Sequence, residues 1–119
     1  MGLLASELKR FANTLRWSWE GWCAAWATEK SLRQWTLANL VSVALAFALP
    51  LSGAERALIL ALGLLVLMAE LLNTAIEELV DTVFPGLDPR AKKAKDCGSA
   101  AVALAALAGG VAWAVVLVS

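Results

Sequence analysis

Three long stretches of this chain carry almost no charge, and they limit its possible folds more than any other feature. Gln34 to Ala54 is uncharged over 21 residues, Ala57 to Ile76 carries only Glu70 over 20, and Cys97 to Ser119 is uncharged over 23. A helix rises about 1.5 Å per residue, so each run matches the roughly 20 residues that cross the hydrocarbon of a bilayer. With 119 residues, 61% of them hydrophobic, the chain has room for one domain and too little interior to hide all three runs from water. The expected fold is an all-α membrane protein with transmembrane helices at about 34–54, 57–80 and 96–118 in one domain, 1–119. Pro50 and Gly53 place the first turn between spans.

The flanks set an orientation. Lys9, Arg10, Arg16, Lys30 and Arg33 precede the first run, and Arg90, Lys92, Lys93 and Lys95 lie between the second and third, whereas the intervening short loop holds only Arg56. Positive charge collects on the cytoplasmic side. The N-terminus and the second loop are therefore expected in the cytoplasm and the C-terminus outside. Residues 1–30 follow a different pattern: Leu4, Leu8, Phe11, Leu15, Trp19, Trp22 and Trp26 recur every three or four positions. That stripe describes an amphipathic helix lying on the membrane surface, with its aromatics at headgroup depth. No signal-peptide pattern interrupts it, so the segment reads as retained. In the third run Ala101, Ala105 and Gly109 form a ridge of small residues suited to close helix packing. Three spans make a thin bundle, and association with further copies of the chain is expected.

Several chemistries are excluded at once. The chain has no His and no Tyr, which removes imidazole bases and His-ligated metals, and its two cysteines, Cys23 and Cys97, have no metal-site spacing. Ten basic residues balance ten acidic ones, so charge implies no nucleic-acid partner. Glu70, Asn73, Glu77 and Asp81, by contrast, share one face of the second span, flanked by Thr74 and Glu78. Carboxylates at membrane depth cost a few kcal/mol each and usually face a protein interior where they act. Glu78 and Asp81 can be the solvated end of the helix, but Glu70 lies two turns deeper among Leu67, Met68, Leu71 and Leu72. Carboxylates and an amide near cytoplasmic lysines suit a divalent cation with phosphate, Mg²⁺ above all. Neither of the usual glycine-rich phosphate loops is present.

The segments Glu70-Leu71-Leu72-Asn73-Thr74-Ala75-Ile76-Glu77 and Ala94-Lys95-Asp96-Cys97-Gly98-Ser99-Ala100-Ala101-Val102 resemble the two signatures of the small bacterial diacylglycerol kinases. Trp17-Ser18-Trp19-Glu20-Gly21, Ala24-Ala25-Trp26 and Glu29 are similar to that family's surface helix, so the likeness covers nearly the whole chain. The resemblance implies a homotrimer in the bacterial inner membrane that moves the γ-phosphoryl of MgATP to the hydroxyl of diacylglycerol, making phosphatidic acid. It implies Glu70 as the general base on the lipid hydroxyl, and Glu29 and Glu77 as ligands of the metal bridging the ATP phosphates. Lys95 and Asp96 match nucleotide-site residues, and Arg10 matches a residue touching nucleotide and lipid. Asn73 and Ser99 match polar supports of the site, Ser99 on the substrate side, while Arg56 and Trp113 match positions by the lipid pocket. Trp17 stands where the family commonly has a hydroxyl-bearing aromatic, which implies stacking on the nucleotide without a hydroxyl contact. The loop Gly86-Leu87-Asp88-Pro89 departs from the more polar loop usual there, and Trp35 replaces a commonly polar residue.

Two other readings are compatible with parts of the sequence. A kinase of the same fold acting on undecaprenol shares the signatures, although Gly98-Ser99-Ala100-Ala101 looks more like the diacylglycerol branch. A small ion-coupled transporter would use Glu70 as a relay, but no second intramembrane charge completes a path outward.

Overall fold

The computed structural model describes residues 2–119 and contains four α-helices: α1 Leu3–Thr28, α2 Lys30–Ala48, α3 Gly53–Val83 and α4 Pro89–Val118. Each break has a local cause. Glu29 alone separates α1 from α2, with an extended backbone at φ −103° and ψ 104°; it ends the first helix by donating its N–H to the Ala25 carbonyl at 2.7 Å. Leu49 is extended at ψ 151°, as the residue before a proline must be, and stops α2. Ser52 then opens α3 with a reciprocal cap: its hydroxyl accepts from the Glu55 N–H at 3.1 Å, while the Glu55 carboxylate accepts from the Ser52 N–H at 2.8 Å. Asp88 caps α4 by accepting from the Arg90 N–H at 2.7 Å, and Pro89 fills the first helical position, where no N–H is needed.

The run Gln34–Ala54 is therefore not one helix. Only its first part belongs to α2, and the remainder is the Leu49–Ser52 link and the first residues of α3. Among the described residues, α3 and α4 are the helices long and apolar enough to cross a membrane. The 19 residues of α2 fall short by that measure because they include Lys30, Arg33, Gln34 and Asn39, while Leu49 and Leu51 of the same run lie outside it.

Pairings between helices show the topology. Ser31 and Ala46 of α2 meet Glu70 and Ile59 of α3, and Asn73 and Ile59 of α3 meet Gly98 and Ala112 of α4, so both neighbours run antiparallel to the central α3. Ala46, Ile59 and Ala112 form a small apolar core at the opposite end from the polar face, with Leu51, Leu60, Leu62, Trp113 and Val116 packed around it. Trp113 reaches across from α4 and donates its indole N–H to the Ser42 hydroxyl of α2 at 2.9 Å. Below that bridge runs a groove of about 610 Å³, bounded by Trp35, Asn39, Ser42, Val66, Gly109 and Trp113 among others.

The molecule measures 51 × 47 × 22 Å, with a radius of gyration of 18.0 Å. A compact domain of this length would have about 13.5 Å. The excess comes from α1, whose one buried residue is Ala25 and whose apolar stripe stays open at Leu4, Leu8, Phe11, Leu15 and Trp19. Leu64, Leu65, Met68 and Leu72 of α3 and Leu104, Leu107 and Val115 of α4 are exposed as well. Apolar surface on this scale requires lipid or protein cover. Within α4, Ala91, Gly98, Val102 and Ala112 are the buried positions, whereas Ala101 of the predicted small-residue ridge is exposed and Ala105 and Gly109 are half-buried.

Candidate active site

The polar face of α3 grades from buried to exposed along the helix. Glu70 is 4% exposed and Asn73 9%, Glu77 is half-buried, and Asp81 is open. At the buried end, the Ser31 hydroxyl in the first turn of α2 donates to Glu70 Oε1. Leu32, the next residue, is fully buried and pins that turn of α2 against the bundle. One turn on, Asn73 Nδ2 donates to Glu77 Oε1 at 3.2 Å. Asn73 Oδ1 is buried without a hydrogen-bond partner, because it lies against the Cα of Gly98 on α4; a Cβ added there would stand 2.3 Å from it. Gly98 thus lets α4 approach closely enough to hold the amide in one orientation.

At the open end, Lys95 of α4 donates to Asp81 at 2.8 Å. That hydrogen bond, then the charge of Asp81, holds the Lys95 ammonium above its usual pKa of 10.5; partial burial opposes them and the charge of Glu77 adds slightly. Lys95 is accordingly a full cation throughout the neutral range. Asp96 is exposed and pairs with Lys92 one turn earlier.

The remaining predicted site residues fall in four places. Glu29 sits at the break between α1 and α2, two residues before Ser31, with the Thr28 hydroxyl donating to its carboxylate at 3.5 Å. Arg10 and Trp17 lie on the exposed part of α1, where Arg10 faces Glu7 at 3.6 Å, so this single chain does not bring them to Glu70. Ser99 is exposed on α4. Arg56 and Trp113 belong to the far end. Arg56 donates its Nε–H to the Ala46 carbonyl at 2.7 Å and stacks over Phe47 at 5.2 Å, fourteen residues and so about 21 Å along α3 from Glu70. Trp113 lines the long groove, which begins at Trp35 and Val66, one turn from Ser31 and Glu70 respectively.

Among the described residues no three Asp, Glu or Cys side chains are gathered to hold an ion. The donor chemistry still suits a hard cation: Glu77 has one oxygen bound by Asn73 and one free, and Glu29 is not spent on capping α2. Mg²⁺ commonly takes one or two carboxylates and completes its octahedron with phosphate and water.

Residues 16–117 match the family described as prokaryotic diacylglycerol kinase. The chain belongs to that family. It is similar to the diacylglycerol kinase of Pseudomonas aeruginosa, with 46% identity over 110 residues covering 92% of this chain and 89% of the relative. The diacylglycerol kinase of Escherichia coli K12 is 36% identical over 108 residues, covering 91% and 88%. That of Synechocystis is 38% identical over 96 residues, 80% of this chain and 55% of its own length.

Two polar side chains at helix crossings escaped the sequence reading. Ser31 has no charge and no periodic signal, and only the fold brings it 39 positions along the chain to Glu70. Asn39, half-buried in the groove, sits against Gly63 of α3 much as Asn73 sits against Gly98. A polar amide inside an otherwise apolar run was the available signal for it.

Proposed function

We propose that this diacylglycerol kinase transfers the γ-phosphoryl of MgATP to the free hydroxyl of diacylglycerol in a bacterial inner membrane, as a homotrimer with α2, α3 and α4 as its spans. The observation that carries the proposal is the Glu70 carboxylate: 4% exposed, tied to α2 by one oxygen, and one turn from the start of the long apolar groove. Phosphoryl transfer needs positioning, charge neutralisation and removal of the alcohol proton. A diacylglycerol with its chains along the groove would present its hydroxyl beside Glu70. The alcohol oxygen bonds to the γ-phosphorus, the bond from that phosphorus to the bridging oxygen breaks, and ADP leaves with the electron pair. Glu70 receives the proton.

Glu77, oriented by Asn73, and Glu29 at the helix break would hold Mg²⁺, which when bound neutralises charge on the ATP phosphates. Lys95 adds a fixed cation at the same end, beside Asp96. The bare stripe of α1 and the exposed leucines of α3 and α4 support assembly, in which Arg10 and Trp17 would reach a neighbouring copy's nucleotide. Ser99, Arg56 and Trp113 are assigned to the lipid side.

The test is transfer of labelled phosphate from ATP by the purified protein in mixed micelles, with diacylglycerol and undecaprenol offered in parallel. Product from diacylglycerol is expected, and Glu70→Gln is expected to lower its kcat by about 10²–10⁴ with KM for MgATP little changed. Wild-type turnover by that variant would remove the base assignment. Product from undecaprenol alone would reassign the acceptor.

A further inference from the structure

Among the described residues Ser31 is the one hydroxyl that reaches the buried carboxylate, and the fold explains why it is free to do so. Thr14, Ser18, Thr28, Thr36 and Thr82 all turn their hydroxyls back onto the carbonyl four residues earlier in their own helices. That is the ordinary fate of a Ser or Thr inside a helix. For Ser31 the corresponding carbonyl belongs to Ala27 in α1, on the other side of the extended residue Glu29. The break removes the local acceptor, and the hydroxyl donates across the bundle to Glu70 Oε1 instead. The attachment is rigid on both sides. Fully buried Leu32 fixes the α2 turn, and Glu70 is itself enclosed in the middle of α3.

We infer that Ser31 is a positioning residue for Glu70: its hydroxyl binds Oε1, fixes the carboxylate's rotamer, and reserves Oε2 for the acceptor alcohol. No donor reaches Oε2 among the described residues. A carboxylate with one oxygen held cannot rotate its second away from the lipid hydroxyl, and geometry of this kind is worth large factors in a proton transfer. The same bond joins the base to the helix break, since Ser31 lies two residues after Glu29. This inference rests on Glu70 acting as the base.

The experiment compares Ser31→Ala, Ser31→Thr and Ser31→Val with the parent enzyme and with Glu70→Gln, in the same mixed-micelle transfer assay. Loss of a hydrogen bond to a charged group corresponds to about a tenfold fall in kcat for Ser31→Ala, with KM for MgATP and for diacylglycerol within about twofold. Thr and Val have the same shape and differ by the hydroxyl, so Thr is expected to keep most of the rate and Val to lose it. Infrared difference spectra against Glu70→Gln isolate the Glu70 carboxyl band. That band is expected to shift in the Ala and Val variants and to stay in place in Thr, which a purely structural role would not produce.

Equal kcat in Thr and Val, with Glu70→Gln inactive, would overturn the role of Ser31 and leave the base standing. Full turnover by Glu70→Gln would overturn the base reading, and with it this inference. Should Ser31→Ala fail to fold, the Thr and Val pair decides the matter alone.

Discussion

Two helix crossings in this molecule are built alike and serve different ends. In each, an asparagine presses its side-chain oxygen onto the Cα of a glycine across the interface: Asn39 of α2 on Gly63 of α3, and Asn73 of α3 on Gly98 of α4. A Cβ on either glycine would stand about 2 Å from that oxygen, at 2.1 Å for Gly63 and 2.3 Å for Gly98. The surroundings separate them. Asn39 is half-buried and borders an open groove into which its amide can swing. Asn73 is 9% exposed, and among the described residues the one hydrogen bond of its side chain holds the Glu77 carboxylate. A close contact becomes part of a site when the side chain in it has no room to move and holds something else in place.

Each of four variants tests that contrast. Glu77→Gln has the largest expected effect: the Mg²⁺ concentration giving half-maximal rate should rise about tenfold or more, since a charged oxygen donor is lost. An unchanged metal titration would remove Glu77 from the ligands. Gly98→Ala comes next. The new methyl has to displace Asn73, and with it the hydrogen bond to Glu77, so stability in detergent should fall by about 1–3 kcal/mol and the Mg²⁺ requirement should rise too. Thermal unfolding and the same titration read both; a stable variant with normal metal dependence would make the two crossings equivalent.

Gly63→Ala is expected to stay within about 1 kcal/mol of the parent by thermal unfolding. Asn39 can move into the groove, and alanine is the better helix former by about that amount. A loss as large as that of Gly98→Ala would show that the groove is filled. Ser42→Ala has the smallest effect. It removes the acceptor of the Trp113 N–H, a bond worth about 0.5–1.5 kcal/mol, at the end remote from Glu70. Thermal unfolding should register a loss no larger than that.

Helix periodicity made the central part of the site legible. Glu70, Asn73 and Glu77 share a face because steps of three and four return to the same side of any α-helix, whatever surrounds it. The same local logic outlined α1 from its aromatic stripe and located the apolar runs. It was less sharp about bounds: Pro50 and Gly53 marked a turn near the end of the charge-free run Gln34–Ala54, but backbone geometry sets where the helices stop and start, with Leu49 before Pro50 ending α2 and the cap at Ser52 opening α3. Small residues occur all around α4, and packing within the chain decides that Ala91, Gly98, Val102 and Ala112 face inward.

The amino-acid order alone determined that the chain is helical, that too much of it is apolar for a soluble core, and that an acidic face crosses the middle of α3. Those properties depend on neighbours within one or two turns. Tertiary structure decided which of the acidic groups is enclosed, that Ser31 rather than another hydroxyl binds Glu70, and that Trp113 crosses to Ser42 toward the end of the bundle that carries Arg56. Such choices depend on how three helices cross, and a crossing is set by contacts between residues dozens of positions apart, such as Asn73 with Gly98. The free energy that selects those contacts belongs to the pair and is absent from either helix alone.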